Sequence, residues 1–125
     1  MNDLYTKYLT YVTVGLMIYF SPIVGDLLFV GFLVITDWIT GLLKGAKTNT
    51  FSSHLAIKKF WVTVGYLFGI LVVRAIEVNY KMDSLIVKPV VAIITIAEIQ
   101  SLRENLLILT GSDIFKPVIN LFKRK

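Results

Sequence analysis

The sequence predicts an all-α membrane protein, with three to four transmembrane helices followed by a C-terminal amphipathic helix, and three observations lead there. The chain is 56% hydrophobic and only 17% charged, with a mean hydropathy of +0.75, more apolar surface than a small water-soluble core can hide. Its apolar residues fall into four long runs separated by short polar stretches. Its basic residues gather in those stretches instead of painting one face.

A crossing of the hydrocarbon layer takes about 20 mostly apolar residues, so 125 residues hold three or four crossings and little else. The whole chain is expected to form one membrane domain, 1–125, with spans at about 5–20, 23–43, 60–76 and 85–99. The first run, centred on Tyr8 to Phe20, reaches spanning length only with Leu4 and Tyr5, and the Ser21-Pro22 break ends it. An interfacial first helix would leave three crossings. The second run, Ile23 to Leu43, contains Asp26 and Asp37 as its only ionisable groups. The stretch 44–59 carries four Lys and no acid and is expected to be a cytoplasmic loop.

The third span starts at Phe60 and ends near Ile76, with Trp61 and Tyr80 placed as interfacial anchors. Residues 79–84 make a tight outer turn. The fourth run, Leu85 to Ile99, has Lys88-Pro89 near its outer end, where Lys snorkels and Pro sits in the first helical turn. Beyond it Ile99, Leu102, Leu106 and Leu109 recur at helical spacing opposite Gln100, Arg103 and Glu104, so the helix becomes amphipathic before ending near Gly111. Ser112-Asp113 is placed to cap a last short helix in the headgroup region, and the segment 100–125 is read as amphipathic throughout. Lys7, Lys44, Lys47, Lys58, Lys59, Lys116 and the bases at 123–125 then fall on one side, and Lys81 in the outer turn. Both termini are expected in the cytoplasm.

Several function classes drop out. The chain has no Cys and a single His, which excludes disulfides and thiolate metal sites and leaves too few ligands for zinc. His54 in its basic, solvated surroundings reads as a surface residue. The formal charge of +5 fits anionic lipid headgroups better than nucleic acid, because the bases are dispersed between apolar runs. No nucleophile with a base, no phosphate-binding glycine loop and no catalytic carboxylate pair can be assembled, so neither enzymatic activity nor a cofactor is expected.

Two stretches carry more than hydropathy. The first is Asp37-Trp38-Ile39-Thr40-Gly41-Leu42-Leu43-Lys44-Gly45, followed by Ser52-Ser53 and by Lys58-Lys59 at the entry to the third span. The second is Glu98-Ile99-Gln100-Ser101-Leu102-Arg103-Glu104-Asn105. In order and spacing from about Val34 to Asn105 the chain resembles the toxin-secretion and phage-lysis holin family, phage holin family 4. Members show an Asp, a Thr-Gly and a Lys at the end of one span, a Ser-rich loop, a basic entry to the next span and a Glu-x-x-Ser-x-x-Glu-Asn segment. The resemblance implies a protein of the bacterial inner membrane that accumulates, associates with its own copies and opens a lesion for an endolysin or an exported toxin.

The same residues have a physical reading of their own. An unpaired carboxylate inside a span costs roughly 2.5 to 3.5 kcal/mol, so Asp37 should face protein or water, with Lys44, Lys58 or a neighbouring subunit as partner; the plainer reading is an interfacial Asp that snorkels. Glu98 either lines an intersubunit path or marks the end of its span. Glu98, Ser101 and Asn105 share a helical face that either hydrogen-bonds across helices or is simply solvated. Gly65 with Gly69, and Gly41 with Gly45, form small-x-x-x-small faces suited to close helix approach. Arg74 and Glu77, three apart, are expected to form a local ion pair. A homo-oligomer in contact with lipid is the expected state. Alternatives are a non-lytic anchor in an export or defence system, docking soluble partners through 44–59 and the C-terminal helix, and a small carrier.

Overall fold

The computed structural model describes residues 2–124, all helix and connecting turns. Helix α1 covers Asn2–Phe20 and passes through a single 3-10 turn, Ser21–Ile23, into α2, Val24–Thr48. Helix α3 covers Ser53–Asn79, α4 covers Val87–Thr110 and α5 covers Lys116–Lys123.

The framework is a parallel pair, α2 and α4, with α3 antiparallel beside them. Lys88 near the start of α4 meets Asp26 near the start of α2 at 2.7 Å. At the far end Lys47 donates to the carbonyls of Ile108 and Leu109 at 3.1 and 3.0 Å. Those carbonyls are the free acceptors at the negative end of α4, so a lysine there satisfies both hydrogen bonding and the helix dipole. The buried face of α4 runs Val87, Val91, Ile94, Glu98, Leu102, Asn105, the three-and-four spacing that keeps one stripe toward a neighbour. Its counterpart on α2 runs Val30, Leu33, Val34, Asp37, Thr40. The seam is apolar where α2 and α4 begin, with Ile23, Val30, Val34, Ile70, Val87, Val91 and Ile94 forming the core, and polar farther along both helices, from Asp37 and Glu98 onward.

The basic stretch 44–59 is not one long loop. Helix α2 continues to Thr48 and α3 begins at Ser53, leaving 49–52 as the connection. Asn49 ends α2 in the left-handed conformation, with φ 54°, a role Asn tolerates better than most residues. The polar residues on either side of it therefore extend the two helices instead of ending them. Gly111, φ 71°, closes α4 in the same way, at the position the periodicity predicts.

Helix α1 behaves differently from the other long helices. None of its residues is buried, and it is not packed along α2. The Ser21-Pro22 break takes the form of the 3-10 turn, where Pro22 and the non-helical backbone of Ile23, φ −115° and ψ 5°, interrupt the α-helical ladder. The helical stretch Asn2–Thr48 and α3 are long and apolar enough to cross a membrane. Helix α4 is not among them: Lys88, Glu98, Arg103 and Glu104 interrupt its apolar run.

A second buried polar group closes the end of the bundle where α2 and α4 begin. Glu77, fully buried, accepts from the backbone N–H groups of Ile86 and Val87 through the same oxygen, both at 2.7 Å, which caps the start of α4. Arg74 lies 3.4 Å from Glu77 and donates twice to the Tyr19 carbonyl, at 2.8 and 3.1 Å, while its guanidinium sits 5.4 Å from the Tyr19 ring centroid. The ion pair expected from the i, i+3 spacing is thus present. It also ties together the ends of α1, α3 and α4.

Candidate functional site

Toward the end of the bundle where α3 begins, α2, α3 and α4 converge on a cluster centred on Asp37. Position 37 continues the buried stripe of α2, so its carboxylate points at α4 and not at lipid. The Asn105 amide donates to that carboxylate at 2.8 Å and to the Thr40 hydroxyl at 3.1 Å. Thr40 in turn donates back to the Thr36 carbonyl one turn earlier, at 2.9 Å. Lys59 forms an ion pair with Asp37 and also donates to its main-chain carbonyl at 3.3 Å.

Lys59 takes the place expected for Lys44 or Lys58. The reason is register: 59, 62 and 66 share the face of α3 that meets α2 and α4 around Asp37, whereas Lys58 is about 100° round the helix and exposed. At Gly41 a Cβ would make ordinary contact, 3.5 Å from the Lys59 ammonium and 3.7 Å from the Asn105 amide, so the arrangement leaves room for alanine and no more. Any longer side chain would enter the polar cluster. Gly45 serves the connection instead, with a would-be Cβ only 3.3 Å from the Phe51 Cα.

Glu98 is 6% exposed and lies beside Tyr66 and Asp37. Its Oε2 atom has no hydrogen-bond partner, and neither does the indole nitrogen of Trp38. Both residues border a cavity of about 540 Å³ between the three helices. Its wall includes Gly41, Lys44, Ser52, Lys58, Lys59, Ser101 and Asn105, so most of the motif residues from two segments far apart in sequence meet in one place. The others lie elsewhere. Ser53 and Glu104 are exposed, and Gly65 and Gly69 face open space on α3.

Tyr66, Trp38 and Ala97 join the site without having been singled out as candidates. Tyr66 had a visible signal, a hydroxyl seven residues after Lys59 on the same face of an apolar helix. Ala97 had none.

These features define a class: a small helical membrane protein with apolar side chains outward and a charged, hydrogen-bonded centre enclosed by three helices. The chain matches the model of the bacteriophage holin family over residues 10–123, and it belongs to that family. Proteins of this family are membrane pore-formers and not enzymes. No curated protein matches the chain, and no solved structure does.

Proposed function

We propose that this protein oligomerises in the bacterial inner membrane and opens a lesion through which an endolysin or a toxin leaves the cell. The observation that carries this reading is the inside-out distribution of polarity. Large apolar side chains such as Tyr8, Leu16, Phe32, Trp61 and Phe68 are each more than half exposed, while Asp37, Glu77 and Glu98 are buried. Such a surface suits lipid and other copies of the chain. Helix α1, exposed from Asn2 to Ile18 and held to the rest of the chain only at its Tyr19-Phe20 end, adds a largely uncovered apolar helix.

In this reading α2, α3 and α4 cross out-to-in, in-to-out and out-to-in, placing Lys44, Lys47, Lys58 and Lys59 in the cytoplasm with both termini. Collinear α1 and α2, a 47-residue helical stretch, would measure about 70 Å, twice the hydrocarbon thickness. A cytoplasmic N-terminus therefore requires α1 to fold back at Ser21–Ile23, pivoting on its Arg74 tether. Reporter fusions at both ends test the topology.

Function is tested by inducible expression in a bacterium carrying a muralytic enzyme in its cytoplasm. Collapse of membrane potential followed by enzyme release is expected, and normal growth at high membrane levels would sink the lesion reading. One observation favours a non-lytic anchor: Asp37 finds Lys59 and Asn105 within a single copy, so its burial needs no assembly. That reading expects a soluble cytoplasmic partner, recovered from detergent extracts of the intact chain and lost when residues 49–52 are replaced and α5 is removed.

A further inference from the structure

We propose that the cavity between α2, α3 and α4 binds a small amphipathic amine, its protonated nitrogen held by Glu98 and its apolar body lying against Trp38, Val62 and Tyr66. The wall of the cavity carries three lysines, Lys44, Lys58 and Lys59, against two carboxylates, Asp37 and Glu98, so the case for a cation rests on how these groups pair and not on their sum. Two carboxylates, Asp37 and Glu98, share the inner end of the bundle, and Lys59 is committed to Asp37 through both an ion pair and a main-chain hydrogen bond. Asn105 is committed to the same carboxylate. Glu98 is left with an oxygen that nothing satisfies, although the residue is more than nine-tenths buried. A buried carboxylate in that condition calls for a positive charge or a proton.

The space beside it selects between these. A proton or a bare ion needs almost none, whereas about 540 Å³ falls in the range of pockets that enclose small organic ligands. Most of the wall's surface is apolar, although polar and charged side chains make up about half of the lining residues, so there is both a body-sized apolar surface and a choice of groups to fix orientation. The faces of Trp38 and Tyr66 suit an ammonium group as well as an alkyl or aryl chain. Lys44 and Lys58 also border the cavity. They lie about two helical turns nearer the cytoplasm than Asp37 and Tyr66, where their flexible chains reach water, so the positive rim stands apart from the unserved carboxylate.

The test uses the full chain in lipid nanodiscs with Trp61→Phe, so that Trp38 is the sole reporter, and phenylbutylammonium as the probe. A saturable change in Trp38 fluorescence is expected, weakened by at least about tenfold in Glu98→Gln, with phenylbutanol binding weakly. Ala97→Phe keeps Glu98 but fills the cavity, and should abolish the response while the helical circular dichroism and melting stay near wild type; it decides the matter if Glu98→Gln does not fold. The proposal is overturned if the amine gives no saturable signal, in which case a proton serves Glu98. Equal affinity in wild type and either folded variant would also overturn it, as would tighter binding of phenylbutyrate, which would assign the cavity to the lysines. The result does not depend on lysis, so failure here leaves the lesion reading standing.

Discussion

The Asn105 amide donates to the Asp37 carboxylate at 2.8 Å across the seam between α2 and α4, joining residues 68 positions apart. With Lys59 on the other side, this gives a buried acid one charged and one neutral partner. Lys59→Met should therefore be the more damaging change. It leaves Asp37 buried without a counter-charge, for a loss of about 3 kcal/mol, the low end for a broken buried pair because the Lys59 side chain is partly exposed. Asn105→Ala should cost about 1 to 3 kcal/mol. Asp37→Asn combined with Lys59→Met should lose less than the sum of the two, because no orphaned charge remains. Reversible unfolding in mixed micelles gives these differences.

Much of this fold can be read from residue order, and the exceptions have definite causes. The hydropathy runs locate the long helices, and Gly111 and the amphipathic stretch after Ile99 end α4 where the spacing says. What the sequence leaves open is pairing. Asp37 and Asn105 each stand out as polar residues on apolar faces, yet nothing in their local surroundings specifies that α2 and α4 run parallel and bring them together. The choice of Lys59 over Lys58 depends on one residue of register in α3. The tertiary role of Arg74 and Glu77 was hidden for another reason: their partners are the main chain of Tyr19, Ile86 and Val87, and a backbone carbonyl or N–H leaves no mark in the residue type.

Glu77 and Arg74 should separate in experiment. Glu77→Gln removes the charge that both faces Arg74 and caps α4, so a destabilisation of about 3 to 5 kcal/mol is expected, well beyond the roughly 1 kcal/mol of an ordinary helix cap. Arg74→Lys keeps a counter-charge for Glu77 but cannot reproduce the two-nitrogen contact with the Tyr19 carbonyl, so it mainly frees α1. Hydrogen exchange around Tyr19 to Val24 should then accelerate by at least about tenfold, while the seam of α2 and α4 keeps its protection. Equal acceleration in both regions would show that Arg74 supports the whole bundle.

The turn between α4 and α5 should respond to acid. Arg103 donates through its Nε to Asp113 at 2.9 Å and pairs with it through a second nitrogen, and this hydrogen bond holds the Asp113 carboxyl below its usual range. Asp113 also accepts from the Phe115 N–H at 3.1 Å, fixing the start of the turn into α5. A lowered folded-state value means that the contact stabilises the turn above the ordinary carboxylate range and is lost as pH falls through the lowered value. Spin labels on α4 and α5 should keep a narrow distance distribution at neutral pH and broaden only in strong acid. Asp113→Asn should broaden it at every pH, and because both groups reach solvent, high salt should weaken the contact as well.

The four glycines of the two small-x-x-x-small faces divide by their surroundings. A Cβ at Gly45 would press on the Phe51 main chain at 3.3 Å, whereas Gly65 and Gly69 have nothing within 4 Å. Gly45→Leu should therefore disturb the connection between α2 and α3, lowering stability by roughly 1 to 3 kcal/mol as overpacking does. Gly65→Leu and Gly69→Leu meet no obstacle inside one copy and should leave its melting nearly unchanged, apart from the small gain expected when Gly is replaced within a helix. If α3 approaches a second copy along this face, the same two substitutions should reduce crosslinked oligomers in membranes and delay lysis, because a leucine holds two backbones apart where glycine lets them touch. Unchanged crosslinking and timing in the double variant would remove this face from the assembly and direct attention to α1, whose apolar surface is uncovered as far as Ile18.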